Sequence, residues 1–247
     1  LPLRIAVARL AEGLRPGRIT TIRVAAHYSK VAACRNICAE LSQRSFRVFL
    51  NLMQIDAADA AAVEVCLNEL ERIDSVDVLY IADSFGSMKP NRVQELVDRF
   101  AGRLGSEIGF HGHDNRGYAL INSVAAAMAG AMWIDCTMGG MGRGAGNTAS
   151  EQLLPVLGRV DSAAEQALLE HVLSHFNPLR KRYGWGSSAA YQFAGSNFIH
   201  PSYVQKLRED GALSDAAIIN RLSKLRADER VSFADESLAQ LIAQKIA

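Results

Sequence analysis

Short runs of apolar and β-branched residues alternate, over residues 19–157, with longer stretches in which apolar residues recur at helical spacing. This pattern predicts five strands, namely Ile19–Ala26, Phe46–Ile55, Val76–Ala82, 108–110 and Trp133–Met138. Capping and turn-forming residues predict that the helices between the strands begin at Ser29, at Asp56 or Asp59, at Pro90 and near Gly117. A further helix is predicted at the start of the chain, over Leu1–Leu14.

The strands and helices repeat with a period of about 30 residues, which is typical of βα units around a parallel sheet. The strands are almost continuously apolar, so both faces of the sheet are expected to be buried. In parallel α/β folds the functional site lies at the carboxyl ends of the strands. Polar residues cluster at these ends, at Arg23, His27, Asp83, His111, His113, Thr137 and the loop 139–147.

The βα rhythm stops after Leu157. Residues 162–176 form an amphipathic pattern, and further short helices are predicted, including Asp215–Leu225 and Asp235–Ile246. We therefore divide the chain into a βα domain at 1–158 and a helical domain at 159–247. The helical domain is expected to provide an interaction surface, either for a second copy of the chain or for a partner enzyme.

The composition excludes several classes of protein. The 27 lysine and arginine residues balance 26 aspartate and glutamate residues, so no nucleic-acid partner is expected. No apolar run approaches the roughly 20 residues that span a bilayer, so no membrane association is expected. The four cysteines contain no C-x-x-C pair, which excludes a zinc ribbon and does not favour a disulfide framework. A reducing cytoplasm is the expected location.

The pair His111 and His113 is the main candidate for chemistry. Alternate side chains on a strand share a face, so both imidazoles are expected to point the same way. Two imidazoles at a strand end can bind one divalent metal ion. The same spacing is equally compatible with two hydrogen-bonded histidines at the end of a core strand, and the pair alone does not decide between these interpretations.

The loop from Gly139 to Asn147 is rich in glycine. A dinucleotide-binding loop would require the G-x-G-x-x-G spacing and an acidic residue about 20 positions later. Here Gly142, Gly144 and Gly146 alternate, and no such acidic partner is evident. We interpret the segment as a tight loop that brings backbone N–H groups and Asn147 to the mouth of the site.

Four motifs occur in order along the chain: RVAAH at 23–27, YIADSFG at 80–86, GFHGHDN at 109–115 and IDCTMGGMGRGAGN at 134–147. Together they resemble the metal-dependent pyruvate aldolases and acyl-transferring lyases built on a (β/α)8 TIM barrel. The aldolase branch, which includes 4-hydroxy-2-oxovalerate aldolase, shares the R-V-A-x-H, A-D-S-x-G and G-M-G-x-G-A-G-N patterns. The lyase branch carries a loop cysteine that this loop lacks, which argues against 3-hydroxy-3-methylglutaryl-CoA lyase.

The resemblance implies that His111 and His113 are metal ligands and that Asn147 is a ligand or lies near one. It implies a divalent metal, Mn²⁺ before Mg²⁺, Co²⁺ or Zn²⁺, and a small 2-oxo acid substrate. Tyr191 is, by resemblance, a candidate acid/base phenol, although packing within the helical domain is the stronger interpretation.

Three residues at strand ends have two interpretations each. Asp83 can orient a histidine or a water molecule, or it can form a turn. Arg23 and His27, at i and i+4 of one strand, can hold the substrate carboxylate, or they can belong to a structural salt bridge at the barrel mouth.

The family's first strand carries a D-x-x-x-R-D-G motif that supplies a third metal ligand, and this motif is absent here. The five predicted strands match the fourth to eighth units of the barrel, so a partial barrel is expected, as in a fragment or a half that pairs with another chain. Three functions remain open: an aldolase for 4-hydroxy-2-oxo acids, an acyl-CoA-dependent Claisen-type acyltransferase, and an incomplete, non-catalytic chain.

Overall fold

The computed structural model describes residues 19–209, 211 and 213–243. Its five strands form one parallel sheet in the order β1-β2-β3-β4-β5, which confirms the predicted α/β architecture with strands in chain order. Among the described residues, β1 and β5 are the edge strands. The strands are β1 (Thr21–His27), β2 (Arg47–Met53), β3 (Val78–Asp83), β4 (Glu107–Gly112) and β5 (Trp133–Ile134).

Helices follow the strands, and a set of short helices follows the last βα unit. Asp59 caps its helix through a hydrogen bond from the Ala62 amide, and Pro90 begins the next, as predicted. The helices are α1 (Arg35–Gln43), α2 (Ala60–Leu70), α3 (Pro90–Ala101), α4 (Ala119–Met128), α5 (Ser150–Val156), α6 (Ser162–His171), α7 (Asn177–Tyr183), α8 (Ala189–Ser196), α9 (Pro201–Arg208), α10 (Asp215–Leu222), α11 (Ala227–Arg230) and α12 (Asp235–Ala243).

Several element boundaries differ from the sequence prediction, and two of the differences have a clear structural cause. Ser29 does not cap a helix; the His27 side chain caps a 3-10 turn, Tyr28–Cys34, by accepting a hydrogen bond from the Ser29 amide. Strand β5 ends at Ile134 rather than at Met138, because the backbone N–H of Thr137 donates instead to the carbonyl of Thr148 in the returning glycine loop. The helix predicted over Leu1–Leu14 lies outside the described residues.

The chain contains two compact units. Of the described residues, the first unit contains those up to Ala82 together with Arg92–Phe110 and Ala126–Ile134. The second contains Asp83–Asn91, His111–Ala125 and the described residues from Asp135 onward. Because each unit draws on several segments, the predicted boundary after residue 158 stays a prediction. Arg23 and His27 belong to the first unit, and the other candidate site residues belong to the second.

The later helices of the second unit share an apolar core. Tyr203 and Leu222 are fully buried in it, and Tyr191 is 97% buried at its margin, so the helical part is packed and not a loose tail. No helix among residues 19–209, 211 and 213–243 is long and apolar enough to cross a membrane.

Gly109 of β4 gives a prediction about packing. A Cβ atom at this position would lie 2.8 Å from ring atoms of Tyr80. We therefore expect Gly109→Ala to lower the free energy of unfolding by about 1–3 kcal/mol, the usual cost of overpacking a core. Urea denaturation measures this change. Gly105→Ala is the matched control, because nothing lies within 4 Å of its Cβ position; equal stability of the two variants would contradict the prediction.

Candidate metal centre

His111 and His113 lie side by side at the end of β4. Their ring centroids are 4.8 Å apart, and the rings meet edge to face at an interplanar angle of 87°. The two imidazoles therefore occupy the same side of the strand, as the i, i+2 spacing predicts.

The Nδ1 atom of each imidazole is held by an oxygen atom. His111 Nδ1 lies 2.9 Å from Oδ2 of Asp135, and His113 Nδ1 lies 2.9 Å from the main-chain oxygen of Asp83. An oxygen at Nδ1 favours the tautomer in which Nδ1–H donates and Nε2 keeps its lone pair. Oxygen partners of this kind orient the histidine ligands of metals, so both Nε2 atoms are prepared for a metal.

The protonation state of His113 suits this role. Burial, followed by the positive charges available on His111 and Arg143, lowers the pKa of His113 to about 4. Its imidazole is therefore neutral at physiological pH, which is the form that binds a metal.

Asp135 is a site residue that sequence reasoning missed. The pairing of β4 with β5 sets Phe110 opposite Ile134, so the next residues along the two chains are His111 and Asp135. In the sequence prediction Asp135 lies inside the strand Trp133–Met138, and a charged residue within a predicted strand was the available signal. Only the register shows which histidine it meets. Two residues later, the Thr137 hydroxyl is buried and has no hydrogen-bond partner among the described residues.

Asn147 lies beside the histidine pair. The returning glycine loop forms an isolated antiparallel bridge between His113 and Asn147. The Asn147 side-chain amide donates to the carbonyl of Met141 at 3.2 Å, which fixes the loop. The structure thus places Asn147 beside His113, and its role as a ligand or near-ligand stays a prediction.

Asp83 acts in the structure mainly as a turn-forming residue. Its buried carboxylate accepts hydrogen bonds from the backbone N–H groups of Ser87 and Met88 and from the Asn122 side chain. Its main-chain carbonyl, by contrast, orients His113. The turn-forming interpretation of the carboxylate is therefore the one the geometry supports, and the orienting role belongs to the backbone.

Tyr191 lies at the start of α8, outside hydrogen-bonding contact with the two histidines. Its ring packs against Gly144, and the Arg208 guanidinium carbon lies 5.0 Å from the ring centroid. Burial raises the pKa of the Tyr191 phenol, although the charge of Arg208 opposes this. The phenol therefore stays protonated at neutral pH and can serve as a proton donor.

Arg23 and His27 have partners within the first unit. The guanidinium carbon of Arg23 lies 3.8 Å from the ring centroid of Tyr80, a cation–π contact. His27 Nδ1 lies 2.8 Å from the Ser29 hydroxyl. The substrate-binding role of both residues stays a prediction.

The donor set supplied by the described residues is partial. Among residues 19–209, 211 and 213–243, no group of three or more histidine, cysteine, aspartate or glutamate side chains could hold a metal ion. The oriented pair His111 and His113 fits as two ligands of a divalent ion.

The comparison with known families decides the wider assignment. The family model described as HMGL-like matches residues 19–171, more than half of the chain. The chain belongs to the HMGL-like family. Enzymes of the HMGL-like family depend in general on a divalent metal and act on small 2-oxo acids.

Two curated relatives of this HMGL-like chain are named as 4-hydroxy-2-oxovalerate aldolases. A 4-hydroxy-2-oxovalerate aldolase from Geobacillus thermodenitrificans is 40% identical over 102 residues, which cover 40% of this chain and 30% of that protein. The 4-hydroxy-2-oxovalerate aldolase 2 of Rhodococcus opacus is 29% identical over 208 residues, covering 79% of this chain and 58% of the relative. The chain thus spans between about a third and three-fifths of these two relatives.

Solved structures agree with the HMGL-like fold. The N-terminal domain of a candidate aldolase from Bacteroides vulgatus matches with a TM-score of 0.67 and 29% identity, over 81% of this chain and 66% of that one. Pyruvate carboxylase from Rhizobium etli also matches with a TM-score of 0.67, over 96% of this chain and 26% of that one. Its identity of 18% shows a shared fold alone.

His200 of this HMGL-like chain gives a prediction about how the free energy of unfolding depends on pH. His200 caps α9 by accepting from the Ser202 amide, and burial, then the Arg143 charge, lowers its pKa from 6.5 to about 4. Between these pH values only the unfolded chain binds this proton, so the free energy of unfolding falls as the pH is lowered. We expect His200 to account for about 2–3 kcal/mol of this fall in the free energy of unfolding.

Denaturation at pH 7 and at pH 4.5 tests this expectation. His200→Asn keeps a capping oxygen and removes the titrating ring, so it should make the loss of stability at low pH smaller. The exposed His175, as His175→Asn, is the control. An unchanged pH dependence in His200→Asn would contradict the prediction.

Proposed function

We propose that this chain is part of a divalent-metal-dependent lyase, a class II aldolase, that cleaves or forms a carbon–carbon bond in a 4-hydroxy-2-oxo acid by way of a pyruvate enolate. The observation that carries the proposal is the pair His111 and His113, with each Nδ1 atom held by oxygen and the rings 4.8 Å apart. The names of the relatives support the substrate class.

The metal would be held by His111 and His113 and would act as a Lewis acid toward the 2-oxo group. We propose Mn²⁺, with Mg²⁺, Co²⁺ and Zn²⁺ as the ions to compare. Asp135 and the Asp83 carbonyl are proposed as positioning groups, because each holds the Nδ1 atom of one ring. Asn147, beside His113, is proposed to contact the substrate or to complete the metal site.

The remaining roles concern protons and charge. Tyr191, kept protonated by burial, is proposed to exchange a proton with the reacting substrate. Arg23 and His27 are proposed to hold the carboxylate of the 2-oxo acid, as cation and hydrogen-bond donor.

We also propose a setting for the protein. The three buried cysteines and Cys136 are all free thiols, which suits a reducing compartment such as the cytoplasm. The helical part from residue 159 onward is proposed to contact a second copy of the chain or a partner enzyme.

Two assays on the full-length gene product separate the functions. Pyruvate release from 4-hydroxy-2-oxopentanoate, followed by a coupled reduction of pyruvate, detects the aldolase. Thiol release from acetyl-CoA with a 2-oxo acid acceptor detects the Claisen-type acyltransferase. The proposal predicts pyruvate release that requires Mn²⁺ and no thiol release; thiol release without aldol cleavage would refute it, and neither reaction at any tested metal would favour a non-catalytic chain.

A further inference from the structure

Arg143 occupies the middle of the glycine loop, between two candidate site residues. A Cβ atom at Gly142 would lie within 3 Å of the Asn147 side chain, and a Cβ atom at Gly144 would lie 3.2 Å from the Tyr191 ring. The loop backbone thus passes tightly between the Asn147 amide and the Tyr191 phenol. The side chain that projects from this passage is Arg143.

The groups whose pKa values are affected by the positive charge of Arg143 are two histidines and a tyrosine, and not carboxylates. This charge adds to the burial that lowers the pKa of His113 and His200, and it opposes the burial that raises the pKa of Tyr191, so the guanidinium lies within electrostatic range of all three. Within the described parts of the chain, Arg143 forms no ion pair, whereas nearby Arg208 is paired with Asp215. An arginine beside a catalytic constellation and without an acidic partner is suited to an anionic ligand.

A cavity of about 720 Å³ adjoins this loop. Its charged lining contains four cations and one carboxylate, Glu209, which is itself paired with Lys206. The Tyr191 phenol also lines it, so the cavity reaches the proposed acid/base group. The four cations are Arg143, Lys181, Arg182 and Arg208.

We propose that Arg143, with the cationic cavity beside it, binds a second carboxylate on the substrate, so that the preferred substrate is a dicarboxylic 4-hydroxy-2-oxo acid. This inference rests on the proposed aldolase function and specifies its substrate class. One guanidinium matches one carboxylate through two parallel hydrogen bonds. The 2-oxo group would lie at the histidine pair, and the second carboxylate at Arg143.

The reaction balances without a further reagent. The bond between C3 and C4 breaks, its electron pair goes to C3, and the proton of the 4-hydroxyl is lost to a base as C4 becomes a carbonyl carbon. C3 then takes up a proton to give pyruvate. The second product keeps the distal carboxylate and is an oxo acid, which Arg143 would hold as it held the substrate.

The inference is tested by calorimetry on the full-length protein in the presence of Mn²⁺. Two 2-oxo acids of equal chain length are titrated in and their affinities compared. 2-Oxoglutarate has the second carboxylate and 2-oxopentanoate does not. We expect 2-oxoglutarate to bind about 10- to 100-fold more tightly, the range for a charge-assisted hydrogen-bonded pair. Arg143→Gln should remove this preference and leave the affinity for 2-oxopentanoate within about twofold.

Arg159→Gln is the matched control, because Arg159 is exposed and lies outside the cavity lining. The inference would be overturned if the wild type bound the two acids equally, or if Arg143→Gln kept the full preference for 2-oxoglutarate. It would also be overturned if coenzyme A, and not 2-oxoglutarate, bound in a way that depends on Arg143. Normal cleavage of 4-hydroxy-2-oxopentanoate alongside such a result would leave the proposed function intact. An Arg143-dependent preference without cleavage of any 4-hydroxy-2-oxo acid would support the carboxylate site and overturn the proposed function.

Discussion

His111→Ala is expected to lower kcat/KM for pyruvate release from 4-hydroxy-2-oxopentanoate by about 10³-fold or more in the full-length protein at saturating Mn²⁺. The substitution removes one of the two oriented imidazoles together with its contact to Asp135. A metal acting as a Lewis acid contributes several kcal/mol to transition-state stabilisation, and each 1.4 kcal/mol is about tenfold in rate. Steady-state kinetics of pyruvate release measures the loss.

His175→Ala is the control for this substitution. His175 is an exposed histidine that stacks on His171. It should retain the wild-type rate within about twofold, in line with the small effects of most surface substitutions. If His111→Ala kept more than a tenth of the wild-type kcat/KM, the histidine pair would not be the metal centre.

Asp135→Asn is expected to weaken Mn²⁺ binding by about 10- to 100-fold, the usual effect of removing the oxygen partner of a ligating histidine. The asparagine keeps the size of the side chain but loses the negative charge at 2.9 Å from His111 Nδ1. The imidazole becomes a weaker donor to the metal, and its Nδ1–H tautomer is no longer enforced. Calorimetric titration with Mn²⁺ measures the change in affinity.

Asp74→Asn gives the comparison, since Asp74 is exposed in a loop of the first unit. It should bind Mn²⁺ as the wild type does. A wild-type affinity in Asp135→Asn would mean that Asp135 is only a structural partner of His111.

The order of the sheet follows from features that are local in the sequence. The βα period and right-handed crossovers leave parallel neighbours in chain order as the simplest arrangement. The exact ends of the elements depend on contacts that the sequence does not display. Thr137 leaves the sheet because it bonds to Thr148 across the glycine loop, and His27 displaces Ser29 as a cap because its ring folds back on the chain.

In the candidate site, too, some features follow from the local sequence and others depend on contacts that only the folded chain shows. His111 and His113 point to the same side of β4 because side chains on a strand alternate with a period of two residues. The sequence alone therefore predicts their shared orientation. The position of Asp135 next to His111 depends on the register between β4 and β5. Because β5 is only two residues long, its hydrophobic pattern does not fix this register to a single residue. The Asp83 carboxylate could have faced the site or the turn, and the decision rests on amide groups of residues 87 and 88 that only the folded turn presents.

The proposed metal centre is tested most directly by ¹H–¹⁵N correlation spectra of the imidazole nitrogens of this 247-residue chain, recorded at pH 7 during titration with Mn²⁺. Before metal is added, His111 and His113 should both carry a proton on Nδ1, and His113 should be neutral. Paramagnetic broadening should then reach these two residues first, and only at high Mn²⁺ concentration, because two neutral ligands bind this hard cation weakly. Broadening that begins at the exposed pair His171 and His175, or Nε2–H tautomers at His111 and His113, would contradict the assignment of the site.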